Sequence, residues 1–214
     1  MKKTIVIVGA GKGLGNHVAE KFGKNGFRVV LISRNMANLQ RYKEEFVSND
    51  IETYVYAADC EKPETLTAAF KEIQDKFGVV DVLVYNAAIL EGGAATAFDN
   101  ANFMRHLQVD VASALHCAKL VIEKQKEQKS GAILLTGGIL GDYPMSAYTG
   151  ISVGKAALKA LGKTLNEELK DKGIYVGLVT VGDVIAPNTA HAPELIAEKI
   201  WDLYTKQDKY EIVY

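Results

Sequence analysis

From Thr4 to Val8 the chain is an unbroken apolar run, which passes straight into Gly9-Ala10-Gly11-Lys12-Gly13-Leu14-Gly15 and then into an amphipathic segment ending near Lys24. An apolar run without alternation is buried on both faces, as strands are in a parallel sheet covered by helices. The glycines that follow free the backbone to turn sharply and to approach a bulky anion closely. The helix opening at about Gly13 then aims its unpaired N–H groups and positive dipole end at that anion. A second apolar run, Phe27 to Ile32, closes the unit at the span of about 30 residues that a strand–helix–strand crossover needs. A glycine turn alone also serves simple chain reversal; the strand before it and the helix and strand after it make this one a nucleotide phosphate site.

The same alternation continues to the end of the chain. Further strand-like runs fall at Glu52 to Ala57, Val80 to Tyr85, Ala132 to Thr136, Ile174 to Val181 and Tyr210 to Val213. Between them, Met36 to Ser48, Pro63 to Lys76, Asn100 to Gln128, Ser152 to Lys172 and Pro193 to Tyr204 repeat apolar residues at helical spacing. The expected fold is α/β: a single-domain, doubly wound parallel sheet (Rossmann fold) of about seven strands with helices on both faces, binding ligands at the carboxyl ends of the strands. A chain of 214 residues suits one such domain, and no repeat or linker divides it.

A net charge of −1 without blocks of like charge gives no basic surface for nucleic acid. No stretch approaches the roughly 18 apolar residues of a membrane span. Lys2 and Lys3 precede an apolar run too short for a leader, ended by glycines and Lys12. Cys60 and Cys117 lack metal-ligand spacing, so no metal is expected and a reducing cytoplasm is the expected setting.

The residues after the second strand bear on which nucleotide binds. A site selective for NAD places a carboxylate there, against the ribose 2′-hydroxyl. This chain has Ser33-Arg34-Asn35. Arg34 is suited to pair with a 2′-phosphate, and Lys12 in the glycine turn offers a second cation, so NADP(H) is favoured over NAD(H); the alternative is that both are solvated surface charges. Asp59, followed by Cys60 at the end of the third strand, is placed to cap a turn or to accept from an adenine amino group.

In order along the chain, Gly9, Gly13 and Gly15, then Asp59, Asn86-Ala87-Ala88, the run Gly131 to Gly141, Lys155-Ala156-Ala157-Leu158 and the run Gly173 to Gly182 resemble the motifs of the short-chain dehydrogenase/reductase family over nearly the whole length. The resemblance implies a nicotinamide dinucleotide held by Gly9, Gly11, Lys12, Gly13, Leu14, Gly15, Ser33, Arg34, Asn35, Asp59, Cys60, Asn86, Ala87, Ala88, Lys155, Gly182 and Val184. It also implies a tyrosine four residues before the lysine, a serine and an asparagine. Here those positions are Ile151, Gly138 and Asp110, and of the usual set Lys155 alone remains, as in a divergent branch of the family.

Tyr148, three residues before Ile151, is the candidate to replace the missing phenol from another direction; the plainer reading has it packing the loop from Gly141 to Thr149 with Tyr143. Asp110 either pairs with Lys155 or is a solvated helix aspartate. None of His17, His106, His116 and His191 has metal-ligand partners in the sequence, and His106 and His116 read as surface or interface residues. The short run from Gly182 to Ala192 implies a reduced C-terminal substrate lobe and an open pocket for a small molecule or a protein partner. The resemblance further implies a homodimer or homotetramer paired through the segments Asn100 to Gln128 and Ser152 to Lys172. Two functions fit: an oxidoreductase acting on an unidentified carbonyl or alcohol through a nonstandard site, or a catalytically inactive NADP(H)-binding regulator or scaffold.

Overall fold

The computed structural model describes residues 2–214. Its sheet has seven strands, all parallel: β1 (Thr4–Val8), β2 (Arg28–Ser33), β3 (Thr53–Ala57), β4 (Val82–Tyr85), β5 (Gly131–Gly138), β6 (Ile174–Val181) and β7 (Glu211–Val213). The order is β3-β2-β1-β4-β5-β6-β7. The chain works outward from β1 through β2 and β3, then crosses back to β4 on the other side. The order therefore reverses between β1 and β4, where a crevice opens at the carboxyl ends of the strands.

Each of the central strands sends alternate residues to opposite faces. Val6, Val8, Val30 and Ile32 meet α3 (Pro63–Phe77), α5 (Ser113–Glu127) and α6 (Thr149–Leu169), through Phe70, Val121 and Leu158 among others. Ile5, Ile7, Val29 and Leu31 meet α1 (Leu14–Lys24), α2 (Met36–Val47) and α7 (Pro193–Lys206), through Phe22, Phe46 and Ile200. Because both faces are covered, the strands read as continuous apolar runs. Pro63 and Pro193 each occupy the first turn of a helix, where a missing N–H costs nothing.

Two helical segments depart from the sequence pattern. Asn100 to Gln128 is helical as expected but not regular: α4 (Asn100–Leu107) passes through a wide π-type turn at Gln108–Ala112 into α5. With neither proline nor glycine there, periodicity alone does not reveal the widened turn. The helix expected from Ser152 begins at Thr149. Tertiary packing accounts for the early start: a Cβ on Gly150 would lie 2.6 Å from Nδ1 of His106, and one on Gly154 would lie 2.5 Å from Oδ2 of Asp110. These glycines let α6 close directly onto α4 and the π-type turn.

Candidate functional site

The register of the two parallel strands sets the site. Val8 pairs with Ile32, so the glycine turn after β1 and the Ser33-Arg34 pair after β2 leave the sheet side by side. Gly9 has φ +91°, and a Cβ on it would fall 2.5 Å from the backbone nitrogen of Ala87. Only glycine fits so close to the chain leaving β4. The Asn86 carboxamide donates to the Gly9 carbonyl at 3.0 Å and ties the two turns together. By contrast, a Cβ on Gly11 or Gly13 would meet nothing within 4 Å, and both glycines line a cleft of about 1240 Å³. That exceeds the roughly 300–1,000 Å³ of a site for one drug-sized ligand, leaving room for a dinucleotide and a second molecule.

The residues present fit a dinucleotide. Gly13 is the N-cap of α1 and no side chain caps it; the Asn16 N–H donates to the Gly11 carbonyl at 3.0 Å, and the N–H groups of Leu14 and Gly15 are left for an anion. Arg34 lines the cleft without an ion-pair partner among the described residues. Leu14, Ser33, Asp59, Cys60, Asn86, Ala87, Ala88, Gly182 and Val184 line the same cleft. Lys12 and Asn35 do not: Lys12 is exposed, and the Asn35 side chain accepts from the Asn38 N–H at 3.0 Å as the cap of α2. Asp59 does cap a turn, its Oδ1 accepting from the Glu61 N–H at 3.0 Å. Burial pushes the Cys60 thiol up to about 11, favouring its protonated form.

The other end of the cleft is formed by Thr136 to Leu140, Ile151, Lys155 and the segment after β6. The Lys155 Nζ donates to the Thr136 carbonyl at 2.7 Å. Its stem crosses Gly138, where a Cβ would meet Lys155 carbons at 3.6–3.8 Å. Burial lowers the Lys155 pKa, and the Asp110 carboxylate opposes that shift. Tyr148 lines the cleft as the N-cap residue of α6. Tyr148 and Tyr143 are 42% and 72% exposed, so neither packs into the core.

Asp110 is not solvated, and it influences Lys155 without a direct ion pair. It is fully buried on the π-type turn, with Oδ1 accepting from the Ile89 N–H at 2.9 Å. Its Oδ2 has no hydrogen-bond partner and lies 3.8 Å from Nδ1 of His106. His106 is also fully buried, against the Phe98 ring, with both ring nitrogens unpartnered. This corrects the expectation that His106 is a surface or interface residue. Burial raises the Asp110 pKa, against the pull of the Ile89 N–H, Lys155 and His106.

A carboxyl whose folded pKa is raised contributes full stability below its unfolded value and loses it as pH rises through the folded value. Asp110→Asn keeps an acceptor for Ile89 without the charge. Thermal melts are expected to show a midpoint higher by about 3 °C at pH 7, the shift that 1 kcal/mol makes in a domain of this size, and little change near pH 4. A variant less stable at pH 7 than at pH 4, relative to wild type, would refute this.

Sequence reading did not anticipate a charged clasp on the cleft wall. Arg105 of α4 donates from Nε to Glu61 at 2.7 Å and from Nη1 to both Glu91 oxygens at 3.1 Å. These residues come from three separate segments, and their spacing gives no signal that they meet.

The chain is similar to known proteins over most of its length. Oxidoreductase UcpA of Escherichia coli (strain K12) is 26% identical over 186 residues, covering 86% of this chain and 70% of that protein. The 3-oxoacyl-(acyl-carrier-protein) reductase FabG of Staphylococcus epidermidis is 25% identical over 190 residues, covering 88% of this chain and 78% of that protein. Among solved structures, a metagenomic short-chain oxidoreductase in complex with NADP matches with a TM-score of 0.91 at 26% identity, over 99% of this chain and 95% of that one. Residues 3–195, which include all of the sheet except β7, match the family described as short chain dehydrogenase, and the chain belongs to that family.

Proposed function

We propose that the protein binds NADP(H) in preference to NAD(H) and acts as an oxidoreductase on a carbonyl or alcohol, through a site without the usual phenol and hydroxyl. The observation behind the cofactor choice is Arg34, an unpaired guanidinium on the cleft wall next to the glycine turn, where selectivity for NAD would call for a carboxylate. The similar metagenomic oxidoreductase was solved with NADP, which supports the same reading.

In this arrangement the glycine turn and the first turn of α1 receive the pyrophosphate, Arg34 receives the 2′-phosphate, and Asp59 with Cys60 borders the adenine. Asn86 to Ala88 floor the centre, with Gly182 and Val184 on the nicotinamide side. When bound, the nicotinamide supplies or takes up hydride. Lys155 is the buried titratable group at that end, and its ammonium, with one N–H on the Thr136 carbonyl, is poised to hold the ribose and to stabilise negative charge beside Gly138. A reducing cytoplasmic setting suits the free thiols of Cys60 and Cys117.

The test is a fluorescence titration with NADPH and NADH, followed by consumption assays over a carbonyl panel. Arg34→Ala removes a charge-assisted contact contributing about 1.5–3 kcal/mol, so NADPH should bind roughly 10- to 100-fold more weakly while NADH changes little. Equal losses for both would refute the assignment to the 2′-phosphate. Tight NADPH binding with no turnover over the whole panel would point to the regulator or scaffold.

A further inference from the structure

The end of the cleft around Lys155 is walled by large apolar side chains left open to solvent. Leu90 is 74% exposed, Val184 76% and Met145 53%, and Tyr148, Ile151 and Ile185 line the same space. Single exposed apolar residues are ordinary; several facing one concavity mark a binding surface. They come from the segment after β4, the loop before α6, α6 itself and the segment after β6. They form an apolar recess of the same cleft that Gly138 and Lys155 line.

The charged groups bordering this recess, Lys155 apart, are already engaged. Arg105 is held by Glu61 and Glu91. The Lys155 ammonium gives one of its three N–H donors to the Thr136 carbonyl and faces the carbonyl end of the site with the others. Asp183 accepts from the Val184 N–H at 2.7 Å. Lys159, on the next turn of α6, is paired with Asp142 and Glu211. Apart from Lys155 at the carbonyl end, an anionic substrate group meets no free cation among the described residues at this end of the cleft, and the rim carboxylates Glu91 and Asp183 disfavour it.

Resting on the oxidoreductase reading above, we infer that the substrate is an uncharged carbonyl compound bearing an extended or bulky apolar group, an alkyl or aryl ketone or aldehyde. A substrate carrying a carboxylate or phosphate at the far end of that apolar group is disfavoured. The apolar group lies against Leu90, Met145 and Val184, and the carbonyl points toward Gly138 and Lys155. Each buried methylene then strengthens binding, and a terminal charge weakens it.

The probes are 2-alkanones from six to ten carbons and the oxo-acid that ends the ten-carbon chain in a carboxylate. Binding is measured by calorimetry, with and without NADP⁺, so the readout does not depend on turnover. The dissociation constant is expected to fall by about two- to fourfold per added methylene, and the oxo-acid is expected to bind at least about tenfold more weakly than the ten-carbon ketone. Leu90→Asp should weaken the ten-carbon ketone about tenfold and leave the NADPH dissociation constant unchanged. Affinities flat with chain length, or an oxo-acid that binds as well as the ketone, would overturn the substrate class. Failure of the wild-type protein to bind NADPH in its own titration would instead overturn the proposed function, so the two results remain distinguishable.

Discussion

Replacing Gly9 with valine is expected to cost the protein most of its stability and all measurable dinucleotide binding. The atoms that a Cβ would meet, Ala87 N at 2.5 Å, Ala87 Cα at 2.8 Å and the Asn86 carbonyl carbon at 2.9 Å, are all backbone and cannot rotate away. That segment is also anchored, because the Asn86 N–H donates to the Val8 carbonyl at 2.8 Å and β4 pairs with β1 along its length. Positive φ adds roughly 1–2 kcal/mol for any side chain and more for a β-branched one. Against a total folding stability of about 5–15 kcal/mol, the clash and the strain together remove a large share. Gly11→Ala is the matched control, since its Cβ enters open space on the cleft wall. It should unfold near the wild-type denaturant midpoint while binding NADPH less well. A Gly9→Val protein with an unchanged midpoint would show that the turn is looser than this packing implies.

Lys155→Met should separate chemistry from stability. Of the positions that the family resemblance assigns to the reaction, Lys155 alone keeps the usual residue, and it is buried where its charge is costly. Methionine fills similar space without that charge, so the thermal midpoint at pH 7 should hold or rise even though the bond to the Thr136 carbonyl is lost. Turnover should fall by about 100-fold or more, the range in which a positioned proton-transfer or charge-stabilising group contributes. Both quantities are measured on the same preparation, kcat/KM by NADPH consumption and stability by thermal melt. An active Lys155→Met enzyme would move the chemistry to another group, with Tyr148 on the cleft wall the next to substitute.

The parallel sheet was legible because strands such as Thr4–Val8 and Ile174–Val181 are buried on both faces and carry the uninterrupted apolar runs that this demands. The glycine turn and Arg34 were legible for a related reason: successive strands of a crossover unit lie side by side, so the ends of β1 and β2 are neighbours by topology. What escaped reading depends on contacts between distant segments. The burial of His106 and Asp110 arises from the approach of α6 at Gly150 and Gly154, and nothing within Asn100 to Gln128 announces that approach. The Arg105 clasp likewise exists only once α4, Glu61 and Glu91 are brought together by the fold.

Gly138 has a consequence for how this chain could change. Its backbone is extended, with φ −163° and ψ 148°, and an added Cβ would touch Lys155 only at ordinary contact distance. Serine could therefore be introduced there without disturbing the sheet, so a hydroxyl at this position is not barred by crowding. A hydroxyl beside Lys155 is thus an unobstructed single step for laboratory evolution.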